Sequence, residues 1–202
     1  MSKYIYFIHS STTSVLSRTI GLYTRNKYNH VSISFEQDLS EVYSFGRKEI
    51  HNPLIGGFVQ EDMATGLFTE ATCSIYRLAV SEAEFLRTRH LVREFEGRQS
   101  ELRYNFLGLV FLSWGMNITR ADYYFCSEFA ATLIRECTSI NLPKPANFMM
   151  PQDLAELPGM EGIFEGQIAT YREFNELSKF GYPLEWHQRS YDFNPQEQIP
   201  SV

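Results

Sequence analysis

Residues 29–45, NHVSISFEQDLSEVYSF, contain two short strands separated by a brief polar turn. Apolar residues at 31, 33 and 35 alternate with His30 and two serines. This pattern predicts a half-buried strand over 29–35, with His30 on its less apolar face. Residues 41–45 form the second strand, and residues 37–40 form the turn between the two. Parallel neighbours need a connection of about a dozen residues or more, so the two strands form a hairpin or meander in a largely antiparallel sheet.

The rest of the chain alternates strand and helix signals, which predicts an α+β fold. Ser81 and Glu84 form a capping box at the start of a helix that runs to about residue 97. Further strands are predicted at 4–8, 72–80 and 162–171, further helices at 15–23, 122–138 and 151–157, and a long irregular loop at 46–63. The apolar segment 104–114 fits either a buried helix or a loop.

The length of 202 residues favours one domain. We expect it to occupy residues 1–186, followed by a loose polar tail at 187–202. Hydrophobic residues make up 44% of the chain, which is enough for one core. The net charge of −6 excludes the basic footprint of a nucleic-acid binder and disfavours an anionic membrane surface.

The N-terminal apolar run is too short for a signal peptide, and no apolar stretch reaches the length of a membrane span. The three cysteines, an odd and low number, indicate free thiols in a reducing compartment. We therefore expect a cytoplasmic protein without stable membrane insertion. No phosphate-binding loop, dinucleotide fingerprint or metal-binding motif occurs in the sequence, so no cofactor and no metal are expected.

One segment, YYFCSEFAATL at residues 123–133, places Cys126 in the first turns of a predicted helix. Unsatisfied N–H groups and the helix dipole favour an anion there. A thiolate is such an anion, and a lowered pKa makes a cysteine a nucleophile. The same residue lies on the buried stripe of the helix, together with Ala130 and Leu133, and free cysteines are often simply buried. From the residues alone, inert packing and catalysis both remain open.

Three stretches carry a resemblance to a known superfamily: SVLSRTI at 14–20 followed by YNHVSI at 28–33, VYSFG at 42–46, and FCSEF at 125–129. Together they resemble the circularly permuted branch of the NlpC-type papain-like cysteine hydrolases. That branch includes the YiiX-like predicted amidases and the lecithin:retinol acyltransferase relatives. In papain order the cysteine precedes the histidine. Here His30 lies 96 residues before Cys126, which is the permuted order.

The resemblance implies a papain-like fold with a central, mostly antiparallel sheet and the cysteine-bearing helix packed against it. It implies that Cys126 is the nucleophile and His30 the base. A polar residue on the next strand orients the histidine in this superfamily, often a carboxylate in permuted members. Ser44 is the nearest match, and it would support the ring less strongly than a carboxylate. Glu36 and Glu41 are rivals, although solvated turn charges are the more usual interpretation.

Two further positions are candidate substrate-binding residues. Tyr104, followed by Asn105, resembles a Tyr-Asp/Asn pair of the permuted members, which would line the pocket or help to hold an oxyanion. Ordinary aromatic core packing is the alternative. Phe58 ends the stretch PLIGGF, whose glycines permit close approach of a substrate-facing loop. A plain surface loop explains that stretch equally well.

Three functions follow as hypotheses. The first is a cysteine amidase or peptidase that acts through an acyl-thioester on a small peptide or other amide. The second is a lipid-directed thiol acyltransferase or esterase. The third is a catalytically silent binding module of the same fold, which the missing carboxylate at the third position favours.

Overall fold

The computed structural model describes residues 3–11, 27–48, 55–106, 108 and 120–179. The strands of the main sheet are β1 (Lys3–Ser11), β2 (His30–Ser34), β3 (Val42–Arg47), β4 (Gly56–Glu61), β5 (Thr72–Val80) and β8 (Met160–Gln167). Two short strands, β6 (Arg103–Tyr104) and β7 (Tyr123–Tyr124), form a separate parallel pair. The α-helices are α1 (Glu82–Gly97), α2 (Cys126–Cys137), α3 (Pro151–Ala155) and α4 (Ile168–Lys179), and short 3₁₀ turns occupy Gly66–Phe68 and Ala146–Phe148.

The main sheet has six strands in the order β4-β3-β2-β1-β5-β8, and every neighbouring pair is antiparallel. The hairpin predicted from residues 29–45 is present, with Ile33 opposite Tyr43 and Ser34 opposite Val42. The prediction of an α+β chain with a largely antiparallel sheet is therefore confirmed. The short connection explains it, since neighbouring strands joined by seven residues, 35–41, have no room for a crossover.

Helices cover both faces of the sheet. One apolar cluster joins the sheet residues Phe7, Ile33 and Phe45 to α1, α2 and α3. A second cluster joins Ile8 and Ile75, on the opposite face, to α4 and the 3₁₀ turn at Gly66–Phe68. This follows from the alternation of side chains along a strand, because consecutive apolar residues such as Phe7 and Ile8 bury against different layers. Helix α2 packs directly against β2 and β3.

The prediction of an irregular loop at 46–63 is wrong, because Gly56–Glu61 forms β4 and pairs with β3 along its whole length. Only Phe58 and Val59 are strong β-formers there, and two glycines precede them, so the local sequence argued against a strand. Gly57 is needed for packing, since a Cβ at this position would lie 2.5 Å from the main-chain oxygen of Leu102. The glycines that suggested a loop instead allow close packing over the strand.

Other boundaries also differ from the prediction, and the helix expected at 151–157 ends at Ala155. The helix expected at 122–138 begins at Cys126, because residues 123–124 pair with Arg103 and Tyr104 as β7. The strand expected at 162–171 ends at Gln167, and α4 follows at once. The strand at 72–80 and the capping box of Ser81 and Glu84 are confirmed.

Several predicted segments lie outside the described residues: the helix at 15–23, most of the segment 104–114, and the tail at 187–202. No helix in the part of the chain that the structure describes combines the length and the hydropathy needed to cross a membrane.

Candidate active site

Cys126 is the first residue of α2, and Phe125 in front of it has extended backbone and provides no side-chain cap. The next residue anchors this helix end, because the Ser127 hydroxyl donates a 2.6 Å hydrogen bond to the main-chain oxygen of Met149. The sulfur of Cys126 also accepts hydrogen bonds from the backbone N–H groups of Ser127 and Val31. The strand that carries His30 and the N-terminus of α2 therefore meet at the cysteine sulfur.

The imidazole of His30 lies between Cys126 and Glu61. Its Nε2 is 2.9 Å from Oε1 of Glu61, and the ring is also hydrogen bonded to Cys126. Since Nε2 is used by the carboxylate, Nδ1 is the ring nitrogen that is left to interact with the sulfur. The Phe68 ring covers the imidazole at a centroid distance of 6.3 Å. A thiol, an imidazole and a carboxylate thus form one continuous hydrogen-bonded chain.

Two serines hold the Glu61 carboxylate in place. The Ser44 hydroxyl donates a 2.7 Å hydrogen bond to Oε1, and the Ser32 hydroxyl donates a hydrogen bond to Oε2. The strand register explains the arrangement, because β3 lies between β2 and β4 and all three strands present polar side chains at this point. Glu61 therefore has a partner for each oxygen, as a buried carboxylate requires.

Gly46 is adjacent to this carboxylate. A Cβ at Gly46 would lie 3.2 Å from Oε1 of Glu61 and 3.3 Å from the Ser44 hydroxyl. A larger residue would crowd both groups. The glycine thus leaves room for a side chain from β4 to reach across β3 towards His30.

The charges and hydrogen bonds of Cys126, His30 and Glu61 favour a thiolate beside an imidazolium. Burial by itself raises the pKa of Cys126, but the charge of His30 and the hydrogen bonds to the sulfur lower it below the ordinary value. Burial likewise lowers the pKa of His30, and the charges of Glu61 and Cys126 reverse this and raise it well above its usual range. Burial raises the pKa of Glu61, while His30 and the two serine hydroxyls bring it below the ordinary value. Each group stabilises the charged form of its neighbour.

Tyr104 reaches the same sulfur from another element. Strand β6 pairs with β7, which directly precedes α2, so Tyr104 lies opposite Tyr124 and close to the helix start. Its hydroxyl is hydrogen bonded to Cys126, and burial followed by the charge of Cys126 raises the pKa of Tyr104 well above its ordinary value. The hydroxyl therefore keeps its proton and acts as a donor. Asn105 is buried, and its side-chain oxygen accepts a 2.9 Å hydrogen bond from the Gly108 N–H.

A second histidine lies near the first. His9 on β1 is 2% exposed and packs edge-on against Tyr76, with ring centroids 5.0 Å apart. Burial, and to a smaller extent the charge of His30, lowers the pKa of His9 to about 4. His9 is therefore neutral at physiological pH and adds no charge beside the site.

The structure brings together three of the residues chosen from the sequence, namely Cys126, His30 and Tyr104. Ser44 is also present, but it contacts the carboxylate and not the imidazole. The residue that orients His30 is Glu61, which the sequence did not indicate because its strand resembled a loop. Phe58 is not a substrate-facing residue, since it is 1% exposed and packs between core aromatic rings.

The two rival carboxylates lie elsewhere. Glu41 forms a 3.2 Å ion pair with Arg89 of α1, and Glu36 lies 4.0 Å from the same arginine. Neither contacts His30. Among the described residues, no group of three or more histidine, cysteine, aspartate or glutamate side chains is arranged to hold a metal ion.

No protein-family model matches this chain, and no curated protein matches it either.

Proposed function

We propose that this protein is a thiol hydrolase, an amidase or peptidase of the circularly permuted NlpC-type papain-like class. It would act on a small peptide or other amide through an acyl-thioester at Cys126. The observation that carries the proposal is the hydrogen-bonded chain from Cys126 through His30 to Glu61. A nucleophile, a base and a group that orients the base, assembled from distant segments, are the requirements of this chemistry.

Glu61 bears on the choice between an enzyme and a silent binding module. The sequence offered Ser44 as the nearest match for the orienting group, with Glu36 and Glu41 as rivals, and a hydroxyl gives weak electrostatic support to an imidazolium. A buried carboxylate at 2.9 Å gives strong support. A module that only binds has no need for an arrangement that lowers the pKa of a buried thiol, so Glu61 favours the enzyme.

The proposed reaction uses the contacts of the resting site. The Cys126 thiolate attacks the carbonyl carbon and forms a tetrahedral oxyanion. The Ser127 N–H and the Tyr104 hydroxyl, which interact with the sulfur in the resting site, would donate hydrogen bonds to that oxyanion. The His30 imidazolium then gives its proton to the departing amine, and the acyl-thioester remains on Cys126.

Water completes the cycle. Neutral His30 accepts a proton from the water molecule, whose oxygen attacks the thioester carbonyl. The carbon–sulfur bond breaks, the acid is released, and the thiolate beside the imidazolium is restored. Glu61 keeps its negative charge throughout and stabilises His30 whenever the ring is protonated.

The lipid-directed acyltransferase or esterase remains the alternative from the sequence. Of the large hydrophobic side chains whose exposure the structure describes, Ile55 and Leu86 are exposed. Interfacial binding relies on a sizeable apolar surface, and these two do not form one. We place the hydrolase first because the contact between His30 and Glu61 supports it directly.

The test uses p-nitrophenyl acetate, an activated ester that reports the first half-reaction without knowledge of the natural substrate. We expect the intact mass to rise by one acetyl group, located at Cys126 by peptide mapping and removed by hydroxylamine. A Cys126→Ala variant should show no such adduct, and a Cys126→Ser variant should form it far more slowly. A native chain that neither carries the adduct nor releases nitrophenolate continuously, or the same adduct in Cys126→Ala, would contradict the proposal.

A second measurement separates the hydrolase from the alternatives. A panel of fluorogenic peptide amides should be cleaved by the native protein and not by Cys126→Ala. Stable acylation at Cys126 without turnover of any amide would favour acyl transfer. No reaction with either class of probe would favour the binding module.

A further inference from the structure

Arg47, the last residue of β3, carries a buried guanidinium nitrogen without a hydrogen-bond partner. Its Nη2 is inaccessible to solvent and unpaired, and no ion pair among the described residues includes Arg47. A buried polar nitrogen without an acceptor is unfavourable, and such atoms in native proteins call for an explanation. Arg47 as a whole is only half-buried, so a small rotation of its side chain would bring the guanidinium to an anionic ligand that supplies the missing acceptor.

The fold places this guanidinium beside the candidate active site. Arg47 pairs in register with Gly56 of β4. A Cβ at Gly56 would lie 2.7 Å from Cβ of Tyr104, so the bare backbone of Gly56 lets Tyr104 lie against this edge. Tyr104 in turn is hydrogen bonded to Cys126. Arg47 is therefore connected to Tyr104 through its strand partner Gly56. Tyr104 then connects both to the nucleophile, Cys126.

The charges of the site also point to a ligand. Arg47 lowers the pKa of Tyr104, opposing the larger effects of burial and of Cys126. The positive charge of Arg47 therefore acts on the Tyr104 hydroxyl, which contacts the Cys126 sulfur. The buried carboxylate of the candidate site, Glu61, already has His30 and two serines as partners. No ion pair among the described residues balances the positive charge of Arg47, so this charge is available to a ligand.

We propose that Arg47 binds a carboxylate of the substrate, so that the hydrolase acts on amides that carry a carboxylate close to the scissile bond. The inference rests on the proposed function and narrows its substrate class. A guanidinium presents parallel N–H donors that match a carboxylate in two-point geometry. A dianionic phosphate fits less well, because one guanidinium leaves a second negative charge close to the thiolate and Glu61.

The test compares two alkylating agents of nearly equal size, anionic iodoacetate and neutral iodoacetamide, at Cys126. The quantity measured is the ratio of their rate constants, obtained by mass spectrometry of the Cys126 peptide. The ratio cancels changes in intrinsic thiol reactivity and isolates the preference for a carboxylate. Replacing Arg47 by Met should lower the ratio about fivefold or more, because one close positive charge is lost.

Two further variants serve as comparisons. Arg47→Lys keeps the charge without the fork, and its ratio should fall between those of the native protein and Arg47→Met. Arg93→Met removes the same charge from the exposed face of α1 and should leave the ratio unchanged. An unchanged ratio in Arg47→Met, or an equal fall in Arg93→Met, would overturn the proposal.

A measurement on the native chain covers the case in which the Arg47 variants do not fold. Propionate should protect Cys126 from iodoacetamide in a saturable way, whereas uncharged propionamide should not. Equal protection by both, or by neither, would count against a carboxylate site. The two proposals fail in different ways. If Cys126 does not react with iodoacetamide at all, the proposed hydrolase is contradicted. If Cys126 reacts but shows no preference for a carboxylate, only the role of Arg47 is refuted.

Discussion

At the scale of single residues, the three thiols of the chain have different electrostatic surroundings. The pKa of Cys126 is lowered by His30 and by backbone N–H groups, against the effect of burial. Burial raises the pKa of Cys73 to about 12 and raises that of Cys137 as well. Cys126 and Cys137 are each 4% exposed. Access alone therefore does not distinguish these two, and a difference in their reactivity would report on the thiolate.

This contrast predicts selective alkylation of the native protein. At neutral pH, Cys126 should react with iodoacetamide at least about tenfold faster than Cys137 or Cys73, because its thiolate fraction is larger. Replacing His30 by Ala should slow the reaction at Cys126 and leave the other two thiols unchanged. The measurement is mass-spectrometric labelling against time. Equal, slow labelling of all three thiols, with no effect of the His30 substitution, would instead support a silent binding module.

A second prediction concerns Glu61. The charge of this carboxylate raises the pKa of His30, so Glu61→Gln should lower the His30 pKa. The change is read from the NMR titration of the imidazole resonances. Ser44→Ala should produce a smaller decrease, since Ser44 acts on the ring only through Glu61.

The matched control is Glu41→Gln, because this substitution removes the same charge from a carboxylate that pairs with Arg89 and does not contact His30. It should leave the His30 titration unchanged. An identical titration curve in Glu61→Gln and in the native protein would show that the carboxylate does not support the imidazolium.

At the scale of elements, the start of α2 contains a second buried carboxyl group. Glu128 is 7% exposed, and its Oε2 has no hydrogen-bond partner. Burial raises the pKa of Glu128 from 4.5 to about 7, although a hydrogen bond from the Phe125 N–H acts in the opposite direction. The helix that presents Cys126 thus begins with an acid that is only partly ionised near neutrality.

This raised pKa gives a pH dependence of stability with a definite sign. A carboxyl whose folded pKa exceeds its unfolded pKa binds protons more tightly in the folded state. Its favourable contribution is complete below about pH 4.5 and is lost as the pH rises through about 7. Glu128→Gln should therefore stabilise the protein relative to the native chain at pH 8, and by much less at pH 5.

Thermal unfolding at the two pH values measures the difference. The control is Glu173→Gln, an exposed carboxyl on α4 that should have the same small effect at both. A Glu128→Gln difference in melting temperature that does not grow with pH would show that Glu128 ionises normally in the folded state.

At the scale of the whole molecule, one aromatic cluster holds the cysteine helix on the sheet. Phe129 of α2 lies within ring contact of Phe45, Phe58 and Phe95, at centroid distances of 5.4, 5.7 and 5.1 Å. These rings come from β3, β4 and α1. The same packing that forms the core therefore fixes the position of Cys126 three residues away.

Removing the central ring should be costly. Phe129 is fully buried, and we expect Phe129→Ala to reduce the free energy of unfolding by about 3–5 kcal/mol, from lost burial and the cavity left behind. Leu86→Ala, at a side chain that is 59% exposed, should cost less than about 1 kcal/mol. Urea unfolding of the three proteins measures both values. Equal losses would contradict the central role of the cluster.

The sequence by itself determined the features that depend on neighbouring residues. The antiparallel hairpin follows from the alternation at 29–35 and from the short turn. The capping box of α1 follows from Ser81 and Glu84 three residues apart. Cys126 at a helix start follows from the local pattern, and its association with His30 follows from the resemblance. The hairpin, the capping box and the helix start at Cys126 are present in the structure because each is decided within a few residues, whereas the contact between Cys126 and His30 joins segments 96 residues apart.

Only the tertiary structure decided which carboxylate supports His30 and where Arg47 lies. Glu61 and Gly56 belong to a strand whose sequence resembles a loop, and β4 forms because its pairing with β3 buries Phe58 against Phe45, Phe95 and Phe129. The register of that pairing places Glu61 against His30 and Gly56 opposite Arg47. Because Gly56 has no side chain, Tyr104 can lie against it beside Arg47. Such positions depend on the burial of a core assembled from four distant segments, and no local pattern of residues encodes that burial.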